Sequence, residues 1–110
     1  MDLKTFSLAD FEASAGKAAA LLRNLGNEKR LMILCQLGDG EVPAGALQEP
    51  LGLSQSALSQ HLAVLREAGI VSTRREAQTI FYRIADPAAV KVIETLAAIF
   101  CPDKPTRKKK

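Results

Sequence analysis

The hydrophobic repeat of this chain changes period once, at Gly69, and that change limits its fold more than any other feature. From Ser54 to about Ala68 the leucines Leu58, Leu62 and Leu65 recur at helical spacing, behind a serine of the type that caps a helix. Beyond Gly69 the residues are β-rich: Ile70 to Arg75, a polar turn at Glu76 to Thr79, then Ile80 to Ile84. Two strands around a short turn make a hairpin, so a helix runs almost directly into a β-ribbon.

Upstream, Leu8, Phe11, Ala15, Ala18, Ala19 and Leu22 repeat at three and four, which predicts an amphipathic first helix closed by Gly26. Asn27 caps a second helix, Glu28 to Leu37, in which Leu31, Leu34 and Cys35 share one side. The Gly38-Asp39-Gly40 break stops it. A third, short helix is expected from about Pro43 to Pro50, with proline in its first turn and Gly52 beyond its end. Asp86-Pro87 is an N-cap and first-turn pair that opens a last helix, ending near Cys101-Pro102. Lys91, Glu94 and Thr95 are the main polar breaks in that last helix. An apolar surface of this extent calls for burial on two sides, once against its own domain and once against a partner chain, with the first helix as its companion. The order is four helices, a hairpin and a final helix: a mainly α architecture with a small β-hairpin, the layout of a winged helix-turn-helix.

A length of 110 residues fits one domain, expected over residues 1–102, with a basic, disordered tail over 103–110. The net charge of +3 suggests a nucleic-acid partner, but the tail carries +4 and leaves −1 in residues 1–102. Local asymmetry says more. Arg66, Arg74, Arg75 and Arg83 outnumber Glu67 and Glu76 between Ser54 and Arg83, whereas the charges from Asp39 to Glu49 are all acidic. No apolar run approaches the roughly 18 residues of a membrane span, and the start, MDLKTFSLADFEAS, lacks the order of a signal peptide. The expected compartment is the cytoplasm. The two cysteines, Cys35 and Cys101, are then either buried filler or chemistry rather than a structural staple.

Two helices joined by a short glycine-containing turn, the second opening with small polar residues, match a helix-turn-helix. With Leu58, Leu62 and Leu65 inward, Gln55, Ser56, Ser59 and Gln60 remain on the exposed or N-terminal side. Glutamine can pair two ways with an adenine edge, and serine serves base or phosphate. Ser54 and the helix N-terminus favour phosphate. The hairpin adds Arg74 and Arg75 beside a polar tip, Gln78 and Thr79, suited to the DNA backbone or the minor groove. His61, the single histidine, lies on the flank of the leucine stripe, where packing or phosphate contact outweighs metal or catalytic work. An enzyme is not expected. No Cys-x-x-Cys lies in a βαβ pattern for a thiol oxidoreductase, and the histidine lacks an acidic orienter for hydrolysis. A sequence-neutral architectural DNA binder remains the alternative within the DNA-binding class.

Three stretches, LGNEKRLMILCQL (25–37), LGLSQSALSQHLAVLREAGIV (51–71) and REAQTIFYRI (75–84), resemble the ArsR/SmtB family of repressors, and the similarity spans nearly the whole chain. The resemblance implies a dimer joined by its first and last helices and an inducer that lowers affinity for double-stranded operator DNA. Metal sensors of the family carry cysteines in the third helix. Here that stretch reads Glu41-Val42-Pro43-Ala44-Gly45, and the last helix has Asp86 and Glu94 but no histidine, so no metal site and no cofactor are expected. The cysteine positions resemble the BigR/SqrR/HlyU branch, which senses reactive sulfur species. That resemblance makes Cys35 and Cys101 the paired sensors, bridged by a disulfide or a polysulfide. A disulfide needs Cα atoms within roughly 7 Å, and each inserted sulfur adds about 2 Å of reach. A general thiol-oxidation sensor and a metal sensor of the same family are the rival readings.

Overall fold

The computed structural model describes residues 7–101. The expected tail and Pro102 lie outside the described residues; the last helix ends at Phe100 with Cys101 as its C-cap, where the sequence places its end. Helix α1 (Leu8–Leu25) is capped by Ser7, whose hydroxyl accepts from Asp10 N at 3.3 Å. In α2 (Glu28–Leu37) the Asn27 side chain accepts from two of the unpaired first-turn amides, Lys29 N at 2.9 Å and Arg30 N at 3.1 Å. A two-residue strand β1 (Val42–Pro43) and a short helix α3 (Gly45–Leu51) follow, then α4 (Gln55–Glu67). Strands β2 (Val71–Glu76) and β3 (Thr79–Ile84) form the hairpin, and α5 (Pro87–Phe100) completes the chain behind an Asp86 cap that accepts from Ala88 N at 2.9 Å.

The mainly helical winged fold agrees with expectation, with one strand added. Pro43 was expected in the first turn of the third helix. It pairs instead with Phe81, as Val42 does with Tyr82, giving a sheet in the order β1-β3-β2, all antiparallel. The edge of a sheet tolerates a residue with no N–H to donate. Ala44 N then donates to Ile80 O at 3.0 Å, and the helix begins two residues later than Pro43, at Gly45. The hairpin turn is also tighter than expected. Glu76 pairs with Thr79, so only Ala77 and Gln78 lie between the strands, and Ala77 takes a φ of 57°. A positive φ at the first central residue suits the twist of a two-residue hairpin loop.

The core gathers Ile33, Leu34 and Leu37 of α2, Leu47 and Leu51 of α3, and Leu58, Leu62 and Leu65 of α4. Leu25, Ile70, Val71 and Ala89 complete it. In α2 the buried face is therefore rotated from the one expected: Leu31 is half-buried, and Cys35 faces solvent. α5 packs on α2 and β3 but buries only Ala89 fully. Ile99 and Phe100 of α5 are 59% and 75% exposed, and Leu8 and Leu22 of α1 are 81% and 60% exposed. One of the two sides expected to be covered is thus open in the single chain. Among the described residues no helix is long and apolar enough to cross a membrane.

Candidate DNA interface and thiol pair

The turn that leads into α4 is built around Gly52, in the left-handed conformation at φ 63°, ψ 34°, with its N–H donating to Glu49 O at 3.1 Å. Leu53 N donates to Gln48 O at 3.2 Å, and the Lys29 ammonium donates to Leu51 O at 3.4 Å, which ties this turn to α2. Ser54 has extended backbone, and its Oγ accepts from Ala57 N at 3.1 Å. Because Leu58, Leu62 and Leu65 are buried, Gln55, Ser56, Ser59 and Gln60 are all exposed, as their spacing predicts. The N-terminal half of α4 therefore presents a polar surface on a helix anchored from beneath.

His61 is half-buried rather than on that surface. Its Nδ1 lies 3.4 Å from Arg30 Nη1, and Arg30 Nε donates to Asn24 O at 2.7 Å. A guanidinium only donates, so this contact requires the imidazole tautomer with its hydrogen on Nε2. Arg30 thus links α4 to α2 and to the end of α1, a role its sequence context does not signal.

On the wing, Arg75, Gln78 and Thr79 are exposed, and Arg75 Nε donates to Ala77 O across the tip at 3.2 Å. Arg74 is differently placed. Its Nε donates to both carboxylate oxygens of Glu41 at 3.1 Å, and its Nη2 donates to Glu41 Oε1 at 2.9 Å. Nη1 donates to Glu76 Oε1 at 3.2 Å, and the guanidinium carbon lies 4.7 Å from the centre of the Phe81 ring. Arg74 and Phe81 are register partners in β2 and β3, which brings the cation over the ring. The acidic stretch from Asp39 to Glu49 and the basic one from Ser54 to Arg83 are separate in sequence. In the fold one member of the acidic stretch, Glu41, neutralises one of the arginines.

The Arg74 hydrogen bonds hold the Glu41 carboxyl below its ordinary value of 4.5; desolvation opposes this, and the charges of Arg74 and Arg83 add to it. A lowered carboxylate value means that the contact is present at and above the ordinary range and is lost as pH falls through the lowered value. The side-chain NεH resonance of Arg74 and its ring-current shift from Phe81 are therefore expected to hold steady from about pH 7 down to the ordinary carboxylate value of 4.5 and to collapse only below it. Loss already complete at about pH 6 would contradict the assignment.

Cys35 and Cys101 are both exposed thiols. In the single chain Cys35 is therefore outside the core. Cys101 ends α5, with its N–H donating to Ala97 O at 2.7 Å, and α5 packs against α2, which carries Cys35.

A helix anchored by leucines with a polar, exposed N-terminal half, preceded by a glycine turn and followed by a two-stranded wing, defines a winged helix-turn-helix DNA-binding regulator. Residues 27–73 match the family model described as bacterial regulatory protein, arsR family. The biofilm growth-associated repressor of Agrobacterium fabrum is 48% identical over 101 residues, covering 92% of this chain and 86% of that protein. Reduced HlyU from Vibrio cholerae superposes with a TM-score of 0.81 at 49% identity, over 86% of this chain and 99% of that one. The transcriptional repressor BigR from Xylella fastidiosa superposes with a TM-score of 0.81 at 43% identity, over 87% and 98% of the two chains. The chain belongs to the arsR family of transcriptional regulators, on the branch that holds BigR and HlyU.

Proposed function

We propose that this protein is a cytoplasmic, homodimeric repressor that reads double-stranded operator DNA through α4 and is released from it when Cys35 and Cys101 are bridged. Ser54, Gln55, Ser56, Ser59 and Gln60 would meet bases and phosphates, with His61 at the edge of that surface and Arg75, Gln78 and Thr79 on the wing. Arg74, first counted with them, is a wing residue whose charge is already engaged by Glu41. The observation that carries the reading is the exposed polar half of α4 above a fully buried leucine row. Repression follows the names of the Agrobacterium fabrum and Xylella fastidiosa relatives, whereas HlyU of Vibrio cholerae is named a transcriptional activator. The open apolar faces of α1 and α5 support the dimer.

For the thiols, support comes from their exposure and from the packing of α5 on α2. Reactive sulfur species are the inducer in this reading. Cys35 takes a sulfane sulfur from a low-molecular-weight persulfide and releases that donor's thiol. Attack by the Cys101 thiolate on the inner sulfur then expels hydrogen sulfide and leaves a disulfide. A longer sulfane chain on Cys35 leaves a polysulfide by the same displacement. Either bridge ties α5 to α2 and moves the two reading helices off the roughly 34 Å spacing that successive major grooves require.

Operator binding at fixed salt, with reduced, persulfide-treated and peroxide-treated protein side by side, tests both halves. Reduced protein is expected to prefer its operator over random duplex by roughly a thousandfold or more. Persulfide treatment should abolish most of that preference and yield a Cys35–Cys101 link by mass spectrometry. Cys35→Ser and Cys101→Ser should each bind as the reduced wild type does and ignore persulfide. An absent link, or unchanged binding by linked protein, rejects the thiol mechanism. Equal affinity for operator and random duplex rejects the repressor itself.

A further inference from the structure

A strand arginine on a DNA-binding wing is ordinarily counted toward phosphate contact, but the guanidinium of Arg74 is already committed. Its Nε and Nη2 grip the Glu41 carboxylate, its Nη1 reaches Glu76, and its plane covers Phe81. Glu41 belongs to neither hairpin strand. It sits in the loop between α2 and β1, directly before the residue that pairs with Tyr82. With strand order β1-β3-β2, the ion pair crosses the middle strand: Arg74 stands on β2, Phe81 lies beneath it on β3, and Glu41 leads into β1. The backbone pairing of β1 with β3 covers only Val42 and Pro43. Beside that pairing, the Ala44 N to Ile80 O bond and the Ile70 N to Leu65 O bond also hold the hairpin, and the side-chain strap adds a further tie between wing and body.

We propose that Arg74 is the positioning residue of the wing rather than a phosphate ligand, and that Glu41 is its anchor. The pair fixes the hairpin against the loop that follows α2, so that Arg75, Gln78 and Thr79 stand at a set angle to α4. This rests on the DNA-binding reading above. A single exposed ion pair adds little to stability, and the role claimed here is orientation. A bidentate guanidinium–carboxylate pair has the directional geometry for that, and the aromatic ring below restricts it further.

Substituting Glu41→Gln separates the two roles by sign. If Arg74 waited for phosphate, losing its competitor would tighten DNA binding and steepen the dependence of log affinity on log salt by about one. As a positioning device, the loss should weaken binding about three- to tenfold and leave the salt slope unchanged, because no phosphate contact disappears. Arg75→Gln is the comparator, expected to lower the slope by about one. Exchanging the charges, Glu41→Arg with Arg74→Glu, conserves net charge and should restore affinity to within about threefold of wild type, where Arg74→Glu alone loses more than about tenfold.

The probe is a duplex selected by the wild-type protein from a randomised pool, with titrations across potassium chloride concentrations. Backbone 15N relaxation at Ala77 and Gln78, measured without DNA, should show increased wing motion in Glu41→Gln. A gain in affinity, a change of slope, unmoved affinity, unchanged relaxation or an unrescued charge exchange each overturns the proposal. If wild type fails to discriminate its selected duplex from random DNA, the DNA-reading assignment fails instead, and the relaxation measurement still decides whether Glu41 holds the wing.

Discussion

Leu65→Ala is expected to lower the free energy of unfolding by about 2–5 kcal/mol, against a total of about 5–15 kcal/mol for a domain of ordinary stability. Leu65 is fully buried, and its carbonyl accepts from Ile70 N at 3.0 Å, at the junction where α4 gives way to the wing. Truncation removes apolar contacts from α4 at its junction with the hairpin. Leu65→Met conserves volume and should cost less than about 1.5 kcal/mol. Urea unfolding at one fixed protomer concentration measures both, since any dimer adds a concentration-dependent contribution. A loss under about 1 kcal/mol for the alanine variant would show that the helix seats without this leucine.

Glutamate at both Ile99 and Phe100 is expected to convert the protein to a monomer and to reduce operator affinity by at least about a hundredfold. Both side chains are exposed near the end of α5 in the single chain, so charge there should not disturb the domain core. In the proposed dimer each protomer would contact one half-site, and joining two such weak contacts raises the combined affinity by about two to four orders of magnitude. The matching substitutions on α1, Leu8→Glu with Leu22→Glu, lie away from Cys101 in sequence and should give the same result, which separates loss of pairing from any effect on the thiol. Sedimentation velocity reads the oligomeric state and gel-shift titration reads the affinity. A stable dimer in both double variants would place the interface elsewhere.

The elements whose logic is local were legible in the residues. Ser54 and the leucines at 58, 62 and 65 define α4 and its buried side without help from the rest of the chain, and so does the cap of Asn27 for α2. Strand β1 could not be read this way. Two residues carry no periodicity, and the partner that makes them a strand lies about forty positions on, at Phe81 and Tyr82. Pro43 matched a local helix-start signal, and tertiary pairing overrode it. The α2 helical wheel placed Cys35 with Leu31 and Leu34, but which flank is covered depends on how α3, α4, α5 and the sheet surround the helix. The Glu41–Arg74 pair was visible only as opposite charges in neighbouring stretches. The direction in which each points is set by the crossing of β3.

Ala77 is the one non-glycine residue with positive φ among those described, at 57°. An L-residue held there costs about 1–2 kcal/mol relative to the right-handed region, and a glycine would remove that cost. A glycine would also widen the set of conformations open to the tip. The alanine accepts strain in the folded state and leaves less conformational entropy to be lost when the tip meets a surface. Val71, Tyr82 and Ile84 pack in or on the core, so only about the outer three residues of each six-residue strand carry the tip, a stem of roughly 10 Å, and whatever meets the wing must fit the height at which the tip already stands.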